Sequence, residues 1–259
     1  VTNNSTSIVP DPNQSRSLIL SASAGAKGLK AETVGILVNN LNPVAVSGAA
    51  GVSPRQVATD ATLFIRVVDK SPSMGIFADV VRAAANTQVD AILASEAKGK
   101  VLVSTITFDS NSQLVQSFAK LENATRLDTV NYNPVTGMTA FYQAMLDALT
   151  ATVAYVQSLR RSGGHPKVEV FAISDGIDND SPLGAAAKLR DVIADLKNQE
   201  IYHFTFVAFG AHASTVAAQL DVPVLSAAAT EHEIRDQFQT ESQSVIGMST
   251  GKVGGGFGN

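Results

Sequence analysis

Apolar and polar positions alternate with two different periods along most of this chain. From Ala61 onward, short apolar runs rich in β-branched residues have the length and make-up of buried strands: Thr62–Val68 (TLFIRVV), Val101–Phe108 (VLVSTITF), Lys167–Ser174 (KVEVFAIS) and Ile201–Ala208. Between them the apolar positions recur at helical spacing. Ile76, Phe77, Val80, Val81, Ala84, Val89, Ile92 and Leu93 predict a helix within Gly75–Lys98. Further helices are predicted over Thr139–Arg160, Pro182–Asn198, Ser214–Leu220 and Glu231–Val245, with Pro182 suited to a first turn. Gln113–Phe118 reads as a short antiparallel edge strand and Pro223–Ser226 as a last strand. Strands joined through helices imply an α/β fold: a doubly wound, Rossmann-like, mostly parallel sheet with helices on both faces.

Outside this stretch the pattern weakens. Residues 1–16 are polar with two prolines and read as an extended arm. Ser17–Gln56 is rich in Ala, Gly, Ser and Val, with a candidate strand at Ser17–Ala22 and an apolar stretch at Thr33–Val38. The expected organisation is therefore a partly ordered extension over 1–56, one domain over 57–246, and a Gly-rich flexible tail over 247–259. GMSTGKV in the tail lacks P-loop spacing, and Val253 stands where that motif needs Ser or Thr.

Composition narrows the chemistry. With 45% hydrophobic residues the 259-residue chain can bury a substantial core, and only 6% aromatic residues with no Trp suit aliphatic helix-on-sheet packing. The net charge of -4 carries no basic excess of the kind nucleic-acid binding needs. The absence of Cys removes thiolate sites and disulfides and fits the cytosol. No apolar run reaches the length of a membrane span. The chain starts at Val1, for which initiator removal is the expectation and secretion after leader cleavage the alternative. His165, His203, His212 and His232 form no zinc-type pair, and His203, in a strand, is expected to be packed or hydrogen-bonded.

In open α/β folds, sites form where loops leave the carboxyl ends of strands. Three such places carry small oxygen-bearing side chains: Asp69-Lys70-Ser71-Pro72-Ser73, Thr136-Gly137-Met138-Thr139 and Asp175-Gly176. Hydroxyls plus one or two carboxylates suit a hard cation such as Mg²⁺ and leave it electrophilic toward a further carboxylate. Each residue also has a plainer role. Asp69, Ser71 and Thr139 suit helix starts, and Asp175 suits the turn before Gly176. Asp178, Asn179 and Asp180 suggest either a second cation site or, preferred, a solvated turn.

DKSPSM after an apolar strand resembles the D-x-S-x-S signature of the von Willebrand factor A (VWA) family, whose metal ion-dependent adhesion site (MIDAS) draws on three loops. GMTAFYQAM and ISDGIDND resemble the family segments carrying the site's threonine and second aspartate, in family order. The resemblance covers about residues 60–245. It implies Asp69, Ser71, Ser73, Thr139 and Asp175 as ligands, directly or through water, for Mg²⁺, with Mn²⁺ or Ca²⁺ as substitutes. It further implies a protein partner that presents an Asp or Glu carboxylate, and a binding module instead of an enzyme. Pro72 and Met138 depart from the family's usual glycines, which alters loop stiffness and surface shape but supplies or removes no ligand. The alternative function is a structural, self-assembling subunit whose extensions or metal site contact neighbouring copies. Catalysis is disfavoured, since D-x-S is not the D-x-D of an aspartate-nucleophile phosphatase and no His or Lys beside the site suits a base.

Overall fold

Six strands form one sheet in a computed structural model that describes residues 28–175, 178–209, 213–220, 224–227 and 230–252. They are β1 (Thr62–Asp69), β2 (Val101–Phe108), β3 (Ser112–Lys120), β4 (Lys167–Ser174), β5 (Tyr202–Phe209) and β6 (Val224–Ala227), in spatial order β3-β2-β1-β4-β5-β6. All neighbours are parallel except β2 and β3, which form the expected antiparallel edge. Every residue of β1 and β2 is buried, as a near-continuous apolar run requires when helices cover both faces.

The helices are α1 (Ala31–Asn39), α2 (Pro43–Gly48), α3 (Ala78–Leu93), α4 (Phe141–Arg161), α5 (Ala185–Lys197), α6 (Ala213–Leu220) and α7 (Glu231–Thr250). One face of the sheet, through Leu63, Ile65, Val67, Val168 and Val170, packs on α4 and the helices around it. The other, through Phe64, Val68, Phe171 and Ile173, packs on α3 and α7. Helix α4 is buried almost all round because α1, α2 and α5 cover the side turned away from the sheet.

The stretch before β1 is more ordered than its composition suggests. Leu29, Val34 and Leu37 join the core beside α4. Buried Asp147 on α4 accepts from Asn40 Nδ2 at 3.0 Å, Asn42 Nδ2 at 2.7 Å, Gln143 Nε2 at 2.7 Å and Ser112 Oγ at 2.6 Å, which fastens the α1–α2 corner to the domain. The expected arm at 1–16 and strand at Ser17–Ala22 lie outside the described residues. At the other end α7 runs to Thr250, so Gly247–Thr250 is helix where a flexible tail was expected; Gly251, at φ 70°, ends it in the left-handed conformation glycine tolerates. His203 is on β5 but exposed, contrary to the expectation that it packs. No helix among the described residues is long and apolar enough to cross a membrane.

Candidate metal centre

After β1 the chain winds outward through β2 and β3 on one side, and β4 returns to the other side of β1. The sheet's switch point therefore lies between the carboxyl ends of β1 and β4, where the two connections diverge to opposite faces. Asp69 ends β1 and Ser174 ends β4.

Asp69 is fully buried. Its Oδ1 accepts the Ser71 amide at 2.7 Å, and its Oδ2 accepts the Ser174 hydroxyl at 2.5 Å. Burial pushes the Asp69 carboxyl up to about 6, and the charge of Asp175 pushes the same way against the lowering effect of the Ser174 and Ser71 bonds. Beside it, Asp175 Oδ1 is buried with no hydrogen-bond partner. Two carboxylates are thus held close in a site short of positive charge. A buried acid pair of this kind requires a proton or a cation.

Ser71 precedes a 3₁₀ turn at Pro72–Phe77, and its side chain makes no cap bond to that turn. Its hydroxyl lies 3.0 Å from the Ser73 hydroxyl instead. Asp69 likewise braces the loop and caps no helix. Adjacent ligands on an octahedral Mg²⁺ with bonds of about 2.0–2.1 Å stand about 2.9 Å apart. The Ser71–Ser73 pair matches that edge, and the unpaired Asp175 oxygen supplies the anionic donor a hard cation prefers. The donor set fits the ion.

Thr139 is buried one residue before Ala140, which occupies the N-cap position of α4. The third loop fixes its backbone: Asn179 Oδ1 accepts the Thr139 amide at 2.8 Å, and the Thr139 carbonyl accepts the amides of Asn179 at 2.9 Å and Asp180 at 3.2 Å. Asp178 Oδ2 accepts the Tyr142 amide at 2.9 Å and the Ser181 hydroxyl at 2.6 Å, so it caps α4. At the expected solvated turn Asp178–Asp180, Asn179 and Asp180 are exposed, and the turn also braces the second loop against the third. Hydrogen bonds and charge coupling thus bring Asp69, Ser71, Ser73 and Asp175 together. Thr139 joins them through its backbone and the third loop, with no hydrogen bond from its hydroxyl to that cluster.

Several supporting residues escaped the sequence reading. Buried Tyr132 donates from its hydroxyl to the Asp69 carbonyl at 2.8 Å, and Arg82 Nη1 donates to the Tyr132 carbonyl at 2.8 Å. Lys70 Nζ pairs with Asp109 Oδ2 at 2.8 Å. The Asp109 carbonyl accepts the Ala140 amide at 2.8 Å, tying the end of β2 to the second loop. Gly137 presses on Asp109 at φ 94°, and a Cβ there would meet Asp109 Cβ at 2.8 Å. Asp109 had a legible signal, since it directly follows a strand. Tyr132 and Ser174 had none beyond their places in a loop and a strand.

Among the described residues no three of His, Asp and Glu are grouped to hold a metal, so a cation here would have to rely on hydroxyls as much as carboxylates. The described His165, His203 and His232 stand outside the centre, and His212 lies outside the described residues. A cavity of about 330 Å³ lies elsewhere, lined by Glu32, Ile36, Gln143, Leu146 and Lys188. None of the five candidate ligands lines it.

No protein-family model and no curated sequence matches the chain. Solved structures do. The PilB minor pilin from Streptococcus sanguinis superposes with a TM-score of 0.55 at 12% identity over 76% of this chain and 64% of that one. The pilus adhesin SpaC from Lactobacillus rhamnosus GG gives 0.52 at 14% identity over 72% and 30%. The vWF domain of the type V pili tip protein Mfa5 from Porphyromonas gingivalis gives 0.51 at 11% identity over 74% and 97%. The chain thus spans less than two thirds of SpaC and PilB, and nearly all of the Mfa5 domain. At these identities the likeness is one of fold: the chain has the VWA fold.

Proposed function

We propose that this chain is a protein-interaction module that grips a partner's Asp or Glu through a divalent cation. Mg²⁺ is the natural candidate, with Mn²⁺ or Ca²⁺ as substitutes, held by Asp69, Ser71, Ser73, Thr139 and Asp175 directly or through water. The observation that carries this reading is the unpaired, buried Asp175 oxygen set beside the buried Asp69 carboxylate at the sheet's switch point. Two carboxylates neutralise a divalent ion, and neutral hydroxyls leave it electrophilic toward an incoming anion. We take the centre as a docking point instead of a catalytic one, because among the described residues it offers ligand oxygens and no His, and its neighbouring Lys70 is paired with Asp109.

Self-assembly is the second reading, favoured by neighbours named as a minor pilin, a pilus adhesin and a pili tip protein. In that setting the acidic partner is another subunit, and the surface location that leader cleavage permits suits it better than the cytosol.

Titration calorimetry of the full chain with Mn²⁺ tests the ion. One site is expected in the wild type, lost in Asp69→Ala while the metal-free variant keeps its circular dichroism spectrum. Equal binding by both proteins, or none by the wild type, contradicts the reading.

A further inference from the structure

The large hydrophobic side chains exposed among the described residues are not scattered. They are Ile76 (82% exposed), Val130 (89%), Val135 (62%), Met138 (46%) and Leu183 (103%). Ile76 lies on the 3₁₀ turn after Ser71, and Val130, Val135 and Met138 on the loop leading to Thr139. Leu183 follows Ser181 on the loop after β4. All five sit on the three loops that carry the candidate ligands. Single exposed aliphatics are ordinary on a protein surface, whereas a set confined to the loops of one candidate site points to a contact surface.

The loops beneath these side chains are braced against each other. Gly75 lies against the Pro134 carbonyl, Tyr132 is anchored to Asp69, and Thr139 is bonded to Asn179. A surface built this way loses little freedom when a partner covers it. The basic side chains on and beside these loops are already engaged: Lys70 by Asp109, and Arg82 by Asp79 and the Tyr132 carbonyl. Asp128 is exposed there, as is Asp180 on the third loop. Such an edge repels a cluster of acids. It accepts one carboxylate at the ion and offers aliphatic contact around it.

We propose that the partner site is a protein surface presenting one acidic side chain flanked by aliphatic residues, seated on Ile76, Val130, Val135, Met138 and Leu183. This rests on the cation reading above and specifies what surrounds the carboxylate. Met138 is one of the two departures from the family's usual glycines, so here the departure contributes contact surface.

The test uses peptides as probes on the full chain in Mg²⁺, read by NMR titration: acetyl-Ala-Leu-Glu-Leu-Ala-amide, its Ser-flanked analogue, and the Leu-flanked peptide with Gln for Glu. Partial burial of two leucines is expected to make the first bind about 10-fold tighter than the Ser-flanked peptide. The Gln peptide is expected not to bind. In Val130→Ser/Leu183→Ser that preference is expected to shrink to about 2-fold, while Mg²⁺ affinity is unchanged. Equal binding of Leu- and Ser-flanked peptides, with Mg²⁺ bound normally, overturns the aliphatic surface and leaves the cation reading intact. Failure of Mg²⁺ itself to bind overturns the cation reading. Equal binding of Glu and Gln peptides in EDTA shows an apolar patch independent of the ion, and so overturns the inference.

Discussion

Among the described residues two pairs of carboxyl groups stand close together with buried oxygens, and their surroundings differ in what could balance their charge. Asp69 and Asp175 stand at the carboxyl end of the sheet, with the Ser71 and Ser73 hydroxyls 3.0 Å apart beside Asp69. Glu169 on β4 and Glu241 on α7 face each other in the interior, where Thr205 Oγ1 donates to Glu169 at 3.2 Å. Burial pushes both Glu carboxyls up, Glu169 to about 7 and Glu241 well above the usual carboxylate range, and the negative charge of Glu169 adds to the shift at Glu241. Counted as anions, Glu169 Oε2 and Glu241 Oε1 have no donor; one shared proton supplies it. Both sites face the same like-charge problem. The open, hydroxyl-rich end of the sheet can admit an ion, while the packed interior can admit only a proton.

The largest expected effect separates the two pairs by metal. Asp175→Asn is expected to weaken Mn²⁺ binding by more than about 100-fold, since even outer partners of a metal site are worth about 10–100-fold. Glu241→Gln is expected to leave Mn²⁺ affinity unchanged. Calorimetry on both variants checks this, and a matched loss in the two would erase the distinction.

The smaller effect separates them by pH. A carboxyl whose folded pKa is raised contributes stability that is full below its ordinary range and lost as pH rises through the folded value. Without metal, wild-type stability is therefore expected to fall between about pH 4 and 8 as Asp69, near 6, and Glu169, near 7, lose their protons, with Glu241 adding to the fall at its upper end. Glu241→Gln keeps a donor toward Glu169 without a second charge. It is expected to remove Glu241's share of that fall and gain roughly 1–3 kcal/mol at pH 8. Urea denaturation across the range measures it. Parallel pH profiles for the two proteins would place the proton elsewhere.

What could be read in advance follows the same division between local and distant causes. The strands of the sheet were legible because burial on both faces forces apolar runs such as TLFIRVV and VLVSTITF. The places of Asp69, Ser71, Ser73, Thr139 and Asp175 at or beside element ends were legible from the apolar runs and helical spacing that flank them. Helices α1 and α2 were not, since AETVGILVN and PVAVSG carry weak local signals and owe their place to Asp147, more than a hundred residues away. Ser174 and Tyr132 were invisible for a related reason: each acts through a partner that only the fold supplies. Glu169 left a trace, one acid inside the apolar strand KVEVFAIS, but Glu241 had to be placed in space before it meant anything.

Manganese-edge anomalous diffraction from a crystal of the full chain grown with Mn²⁺ tests the central claim most directly. The expected result is a single strong peak within bonding distance of Ser71 Oγ and Ser73 Oγ, facing Asp69, Thr139 and Asp175. An empty centre at saturating Mn²⁺, or a peak elsewhere with the two serine hydroxyls still bonded to each other, would contradict it.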